Sequence, residues 1–177
     1  EIVEGLLKYS RKTDEGFAAI DSGKLLDAAL EMAQFKIKLS QIDIARNFNG
    51  AIPRIRGNFT QLQEVFFNMI DNSYDAMMQR KEEMKEPGYR GRLEISTQEE
   101  GNHLEIFIKD NGMGVQEKDQ KRLFTPFFTT KLSSKKGTGL GLYVIRKIIE
   151  ENHGGKVEFT SEYRKGSQTK LLLPVAR

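Results

Sequence analysis

The chain has 177 residues, with 28 lysines and arginines against 25 aspartates and glutamates, a formal net charge of +3 and no cysteine. Its length and its 38% share of hydrophobic residues predict one ordinary globular core, and they exclude fibrous and wholly disordered chains. The lack of cysteine excludes disulfide frameworks, thiolate metal sites and cysteine nucleophiles.

The net charge is small and both signs are interspersed, so it does not indicate binding to nucleic acid or to a membrane surface. No apolar run approaches the roughly 20 residues of a membrane-spanning helix, and no signal-peptide pattern opens the chain. The first residue is Glu1 rather than methionine. We therefore expect a soluble, cytoplasmic piece of a longer protein, with no nucleic-acid or membrane contact of its own.

Helical and strand-like patterns alternate along the first half of the chain. Residues 1–12 have helical apolar spacing, which predicts the end of a helix. Ser22-Gly23 is expected to introduce the next helix, and Pro87-Gly88 to end the longest one. The predicted elements are a strand at 17–21, a helix over about 24–39, strands at 42–48 and 53–57, and a helix over about 58–85.

Strands dominate the second half. Two of them form a predicted hairpin with a loop over 98–102, and a long polar stretch over 111–138 then leads to the last helix. The predicted elements are strands at 92–97 and 103–110, a helix over about 140–151, and strands at 156–161 and 169–175. Helices and antiparallel strands occur in blocks, so we expect an α+β fold with one mixed sheet covered on one face by helices.

The long helix has an unusual polar side. At about 100° per residue its apolar residues fall on one broad side, while Glu64, Asn68, Asn72 and Asp75 fall within an arc of about 80° on the other. Asparagine is a poor helix former, and its carboxamide oxygen is a neutral ligand suited to a Mg²⁺ that takes its anionic ligands from phosphates. An ordinary solvated face is the alternative interpretation.

Asp110 ends a strand on the side that also carries Leu104, Ile106 and Ile108. A carboxylate on such a face is costly unless hydrogen-bond donors satisfy it. The turn that follows contains Gly112 and Gly114, whose backbone can approach a flat ligand closely. The pattern indicates an adenine pocket with the aspartate as acceptor; a plain β-turn is the alternative.

A second glycine cluster, at Gly137, Gly139 and Gly141, precedes and enters the last helix. The spacing matches neither the dinucleotide-binding nor the P-loop motif. A glycine-rich loop at a helix N-terminus still offers free N–H groups to an anion, and Lys131 lies upstream of it. A capped linker is the alternative. The aromatic run over 124–128 between the two clusters is expected to anchor a lid or a partner helix, or to be satellite core.

The order and spacing of four segments identify a family. NMIDNSYDA, DNGMGV, LFTPFFTTK and KGTGLGLYV, within 68–144, resemble the ATP-binding boxes of sensor histidine kinases in the GHKL superfamily. The last two look most like the nitrogen-regulation and sporulation-type subgroup. The resemblance implies a two-layer α/β sandwich of the Bergerat type for residues 15–177. Residues 1–14 would then be the end of a dimerisation hairpin that carries the phosphoacceptor histidine.

The resemblance also implies roles for individual residues. Asn68 would be the Mg²⁺ ligand, Asn72 would contact the phosphates of ATP, Asp110 would accept from the adenine amino group, and Ser167 would reach adenine through water. Other residues implied to bind the nucleotide are Asp75, Gly112, Gly114, Lys131, Gly137, Thr138, Gly139, Leu140 and Gly141. Asp75 departs from the family, because many members have a lysine there, so a lysine of the lid must supply that charge.

The implied reaction transfers the γ-phosphate of Mg·ATP to a histidine upstream of this chain, for relay to a response-regulator aspartate. The implied partners are the hairpin, the cognate regulator and a second copy of the parent protein. Neither His103 nor His153 is expected to be the acceptor, because one opens a strand and the other precedes a Gly-Gly helix stop. Two alternatives are a gyrase-like ATPase using Glu64 as general base, and an interaction module that binds no nucleotide.

Overall fold

The computed structural model describes residues 16–48, 50–128 and 141–177. Within these ranges the strands are β1 (Phe17–Ile20), β2 (Ile42–Phe48), β3 (Ile55–Asn58), β4 (Gly91–Glu100), β5 (His103–Asp110), β6 (Lys156–Glu162) and β7 (Gly166–Pro174). The helices are α1 (Ser22–Lys36), α2 (Phe59–Met84), the short α3 (Glu117–Gln120) and α4 (Gly141–Arg146), which continues as a π-helical segment, Lys147–Asn152. A 3₁₀ turn, Leu39–Gln41, precedes β2.

Five strands form the main sheet, in the order β2-β4-β5-β7-β6. The β2–β4 pair is parallel and the other pairs are antiparallel, so the sheet is mixed. One face of the sheet packs on α1, α2 and α4 around a single apolar core, which confirms the predicted α+β class. Strands β1 and β3 form a second, two-stranded sheet that the sequence interpretation did not separate from the main one.

Side chains at the N-termini fix where the two long helices begin. Asp21 Oδ1 accepts from the N–H of Lys24 at 3.0 Å, and Asn58 Oδ1 accepts from the N–H of Gln61 at 3.0 Å. The predicted helix over 24–39 is therefore corrected to Ser22–Lys36, with Asp21 rather than Ser22-Gly23 as the residue that introduces it. Ser22 lies inside the helix, buried, and donates to the carbonyl of Pro53 at 2.8 Å.

Strand β4 extends further than its apolar pattern predicts, over Gly91–Glu100 rather than 92–97, whereas β5 has the predicted bounds. They are joined at residues 101–102, whereas the sequence predicted a loop over 98–102. The polar residues at the end of β4 pair with β5 as readily as apolar ones would, because they lie where helices do not pack. Glu105 is 3% exposed although it lies on the sheet face opposite the core, since Lys170 Nζ contacts its carboxylate at 2.5 Å.

Two predicted segments lie outside the described residues. These are the N-terminal helix end at 1–12, and residues 129–140, which include much of the second glycine cluster. Among the described helices, none combines the length and the apolar character that crossing a membrane requires.

Candidate functional site

Asp110, the last residue of β5, is the buried centre of the site. It is 6% exposed, and its Oδ1 accepts from the N–H of Gly112 at 2.8 Å. The Ser73 side chain on α2 and the backbone of Ser167 on β7 also hydrogen-bond the carboxyl group. Burial nevertheless outweighs these hydrogen bonds and raises the pKa of Asp110 to about 6. A ligand that donates a further hydrogen bond to the carboxylate would offset this cost.

The glycine turn after β5 packs tightly against α2. The N–H of Met113 donates to the carbonyl of Ala76 at 2.9 Å. A Cβ atom added to Gly112 would lie 2.8 Å from both Ala76 Cβ and Asp110 Oδ1. Gly114 has a φ of +66°, and a Cβ there would overlap the carbonyl oxygen of Glu162 on β6. Both glycines are therefore required by this close approach of backbone to backbone.

The polar side of α2 is not an ordinary solvated face. Glu64, Asn68, Asn72 and Asp75 are all partly buried rather than exposed. Asn72 lies against the start of α4, with its Nδ2 atom 3.6 Å from the position that a Cβ of Gly141 would occupy. Asn72 also directly precedes Ser73, which reaches Asp110. Asn72, the buried aspartate and the start of α4 therefore lie in one region, and Asn68 is one helical turn before Asn72 on α2.

Ser167 is opposite Asp110 in the β5–β7 register. Its hydroxyl lies 2.9 Å from that of Ser161 on β6. Ser161 Oγ also accepts from the N–H of Val115 at 2.8 Å and donates to the carbonyl of Gly166 at 3.0 Å. Gln120 of α3 donates to the carbonyls of Val115 and Ser161 at 3.0 and 3.1 Å, so the far end of the glycine turn is attached to β6.

The aromatic run is divided between core and surface. Phe124 packs against the core and meets Phe159 edge-on at 6.4 Å, with the Arg146 guanidinium 3.9 Å from its ring centroid. Phe127 has a φ of +63° and is 62% exposed. The satellite-core interpretation therefore holds for Phe124, while Phe127 remains available to a lid or a partner. Lys131, Gly137, Thr138, Gly139 and Leu140 lie outside the described residues.

His153 is structural, as expected. It is buried, its Nδ1 lies 2.8 Å from the carbonyl of Ile148, and its Nε2 accepts from the N–H of Asn58 at 3.1 Å. Burial lowers the pKa of this imidazole, and the neutral form is the one that can accept at Nε2. His103 is exposed at the start of β5.

The donor set fits a nucleotide and a magnesium ion that is held mainly by phosphates. Within 16–48, 50–128 and 141–177, no group of three or more His, Asp and Glu side chains could hold a metal by itself. Asn68 and Asn72 offer amide oxygens one turn apart, so the anionic ligands of Mg²⁺ would come from the nucleotide. Asp110 and the glycine turn fit a flat base that carries an amino group.

Sequence reasoning missed two residues of the site. Ser73 reaches Asp110 from α2, and Ser161 connects Ser167 to the glycine turn. For Ser73 a signal was present: Ser73, Ala76 and Arg80 recur at helical spacing and all face the turn. For Ser161 there was none, because its partners come together only across the sheet.

Comparisons with known proteins agree with this geometry. The family model of histidine kinase-, DNA gyrase B-, and HSP90-like ATPases matches residues 57–177, more than half of the chain. Sensor histidine kinase ZraS of Escherichia coli strain K12 is 30% identical over 98% of this chain and 34% of its own length. Sporulation kinase C of Bacillus subtilis strain 168 is 36% identical over 77% of this chain and 29% of its own length. The chain thus spans about a third of the curated relatives it matches.

Solved structures share the fold. The catalytic domain of histidine kinase ThkA, in a nucleotide-free form, superposes with a TM-score of 0.73 at 24% identity, covering 90% of this chain and 95% of that one. Full-length ShkA in complex with AMPPNP gives 0.78 at 21% identity, covering 99% of this chain and 35% of that one. The predicted Bergerat-type architecture is confirmed. The chain therefore belongs to the family of histidine kinase-, DNA gyrase B- and HSP90-like ATPases, as an ATP-binding domain of the sensor histidine kinase type.

Proposed function

We propose that this domain binds Mg·ATP and presents its γ-phosphate to a histidine on a helical hairpin that is not among the described residues. The observation that carries the proposal is the buried Asp110 carboxylate, which lies at the end of the central strand β5 beside the helix that bears Asn68 and Asn72. That combination matches a purine with an amino group at one end and metal-bound phosphates at the other. ShkA, which shares the fold, was solved in complex with AMPPNP.

Each residue has a distinct task. Asp110 orients the base by accepting from its amino group, Gly112 and Gly114 shape the floor beneath it, and Ser167 reaches it through water. Asn68 supplies an amide oxygen to the magnesium, and Asn72 contacts the phosphates. Gly141 lies at the N-terminus of α4, and Lys131, Gly137, Thr138, Gly139 and Leu140 would complete the phosphate side. When bound, magnesium neutralises charge on the transferring phosphate.

Catalysis here is mainly a matter of position, because phosphoryl transfer needs little covalent chemistry from the protein. The partners are then the hairpin, of which residues 1–14 are the proposed end, a second copy of the parent protein and a response regulator. This domain acts on the cytoplasmic side, with the parent protein either free in the cytoplasm or anchored in the membrane. The isolated chain binds the nucleotide but does not phosphorylate itself.

The test mixes this chain with labelled ATP and a separately expressed upstream hairpin. Acid-labile label on the hairpin, lost with Asn68→Ala, is the expected result. Steady phosphate release without label on the hairpin, abolished by Glu64→Ala, would instead identify a hydrolase. No effect of Mg·ATP on the melting temperature would contradict nucleotide binding altogether.

A further inference from the structure

Arg80, near the C-terminal end of α2, joins three segments of the chain behind the glycine turn. Its Nη1 donates to the carbonyl of Asn111 at 3.0 Å and approaches the carbonyl of Lys165 at 3.4 Å. Its Nη2 lies 3.1 and 3.0 Å from the two carboxylate oxygens of Glu86. The Arg80 side chain is 16% exposed, so these contacts are largely shielded from water.

Tyr89 completes this arrangement, which we name the Arg80 clamp (Arg80, Glu86 and Tyr89). The Arg80 guanidinium lies 5.0 Å from the centroid of the Tyr89 ring. The Tyr89 hydroxyl donates to the same carbonyl of Asn111 at 3.1 Å. Burial raises the pKa of Tyr89 to about 12, so the hydroxyl stays protonated and remains a donor at neutral pH. Two donors from different segments therefore converge on one carbonyl oxygen.

Asn111, whose carbonyl accepts from Arg80 and Tyr89, directly follows Asp110 in the chain. The Asn111 side chain is also bonded on both sides, since its Oδ1 accepts from the N–H of Arg92 at 2.7 Å and its Nδ2 donates to the carbonyl of Arg90 at 3.0 Å. Asn111 therefore has little freedom, and the backbone of Asp110, to which it is joined, cannot shift without breaking these bonds. Gly112 and Ser73 hold the carboxyl group itself, and the clamp holds the backbone that carries it from behind, away from the proposed base site.

The contact with Lys165 extends the clamp to the β6–β7 connection. The N–H of Arg164 donates to the carbonyl of Met113 at 2.5 Å, in the middle of the glycine turn. Gly166 has a φ of +136°, and a Cβ there would overlap the carbonyl oxygen of Asp110. The turn is thus held between α2 and the β6–β7 connection, and Arg80 contacts both of its sides.

We propose that Arg80 is a positioning residue that sets base selectivity: the Arg80 clamp fixes the Asn111 carbonyl and thereby holds the Asp110 carboxylate where it accepts from an amino group on a purine. The inference rests on the proposed nucleotide binding. A carboxylate in a fixed position accepts a hydrogen bond from the amino group of adenine and repels the carbonyl oxygen that replaces that group in hypoxanthine. A carboxylate free to shift discriminates less between them.

The experiment compares ADP and IDP, whose bases differ at that group, by calorimetric titration of the 177-residue chain. Arg80→Met removes the charged fork and keeps much of the apolar stem. Arg46→Met is the matched control, because Arg46 pairs with Asp27 at 2.5 Å on the exposed surface. Tyr89→Phe removes a single hydroxyl and tests the clamp with little risk to folding. Amide hydrogen exchange at Gly112 and Met113 reports directly on the turn.

For Arg80→Met we expect ADP affinity to fall about tenfold, the factor that about 1.4 kcal/mol represents, while IDP affinity stays nearly constant. Tyr89→Phe should lower the ratio of ADP affinity to IDP affinity by a smaller factor. Arg80→Lys should keep part of the wild-type ratio that Arg80→Met loses. Exchange at Gly112 and Met113 should accelerate in Arg80→Met and not in Arg46→Met.

A folded Arg80→Met or Tyr89→Phe variant with the wild-type ADP-to-IDP ratio and unchanged exchange at the turn would overturn the clamp while leaving nucleotide binding intact. A wild-type chain that binds neither ADP nor IDP would overturn the proposed function itself, and with it the role of the clamp in selectivity.

Discussion

Protonation of Asp110 should control nucleotide affinity, and the Asp110→Asn variant isolates that effect. The proposed base contact requires the ionised carboxylate as acceptor, and the pKa of Asp110 is raised to about 6 in the unliganded domain. At pH 5 only about one molecule in eleven carries the carboxylate, whereas above pH 7 nearly all do. ADP affinity should therefore be about tenfold lower at pH 5 than at pH 7.5.

The assay measures ADP affinity across pH 5–8 for both proteins. Titration of the phosphates and of the base is common to the two, so the ratio of their affinities reports Asp110 alone. Wild type should bind more tightly at pH 7.5, and its advantage should shrink about tenfold by pH 5. Asp27→Asn is the control, because Asp27 is an exposed aspartate with its side chain 57% accessible. A ratio that does not change with pH would refute the reasoning.

The same substitution has an opposite effect on stability. Because burial raises the pKa of Asp110 from 3.8 to about 6, the unliganded fold loses stability as pH rises through that interval. At pH 8 the Asp110→Asn variant should gain up to about 3 kcal/mol in the free energy of unfolding, since the neutral amide avoids burying a charge. Urea unfolding at pH 8 and pH 4 tests this, and a gain that persists at pH 4 would contradict it. A variant that is more stable but binds ADP more weakly would show that the ionised Asp110 carboxylate serves nucleotide binding at a cost in stability.

Three further predictions concern the metal ligand, the glycine turn and the buried imidazole. Asn68→Ala should abolish the increase in ATP-analogue affinity that Mg²⁺ brings, while Asn47→Ala on the exposed edge strand β2 should not; equal Mg²⁺ dependence in both would contradict the assigned ligand. Gly114→Ala should cost more than about 2 kcal/mol of unfolding free energy and Gly88→Ala only about 1 kcal/mol, because both have positive φ but a Cβ meets Glu162 only at Gly114; equal losses by urea unfolding would refute this. Burial lowers the pKa of His153 below its ordinary value of 6.5. The stability that His153 contributes relative to His153→Gln should therefore be complete above pH 6.5 and decline as the pH falls below it. An unchanged difference in unfolding free energy between the two proteins from pH 7.5 to 5 would overturn the assignment.

The long helices, the strands and the residue types of the candidate site could be predicted from local pattern alone. Period-two apolar residues defined β5, and the placement of Asp110 on its apolar face already marked an acid that burial would make costly. The apolar side of α2 and the asparagines on its polar side could likewise be predicted, because helical periodicity depends only on neighbours along the chain. Four ordered motifs then carried the family assignment, which the comparisons confirm.

Which side chains support those residues depends on contacts between distant segments. Ser161 meets Ser167 because β6 and β7 pair, and the buried carboxylate of Glu105 finds its cation, Lys170, on the neighbouring strand. The Arg80 clamp joins α2 and the loop before β4 to the carbonyl of Asn111, and helical spacing places Arg80 toward the turn but does not predict its partners Glu86, Tyr89 and Asn111. A local pattern records which face of an element turns inward. Hydrogen bonds between distant segments depend on how those elements are assembled, so the placement of Asp110 is encoded in contacts that exist only in the folded domain.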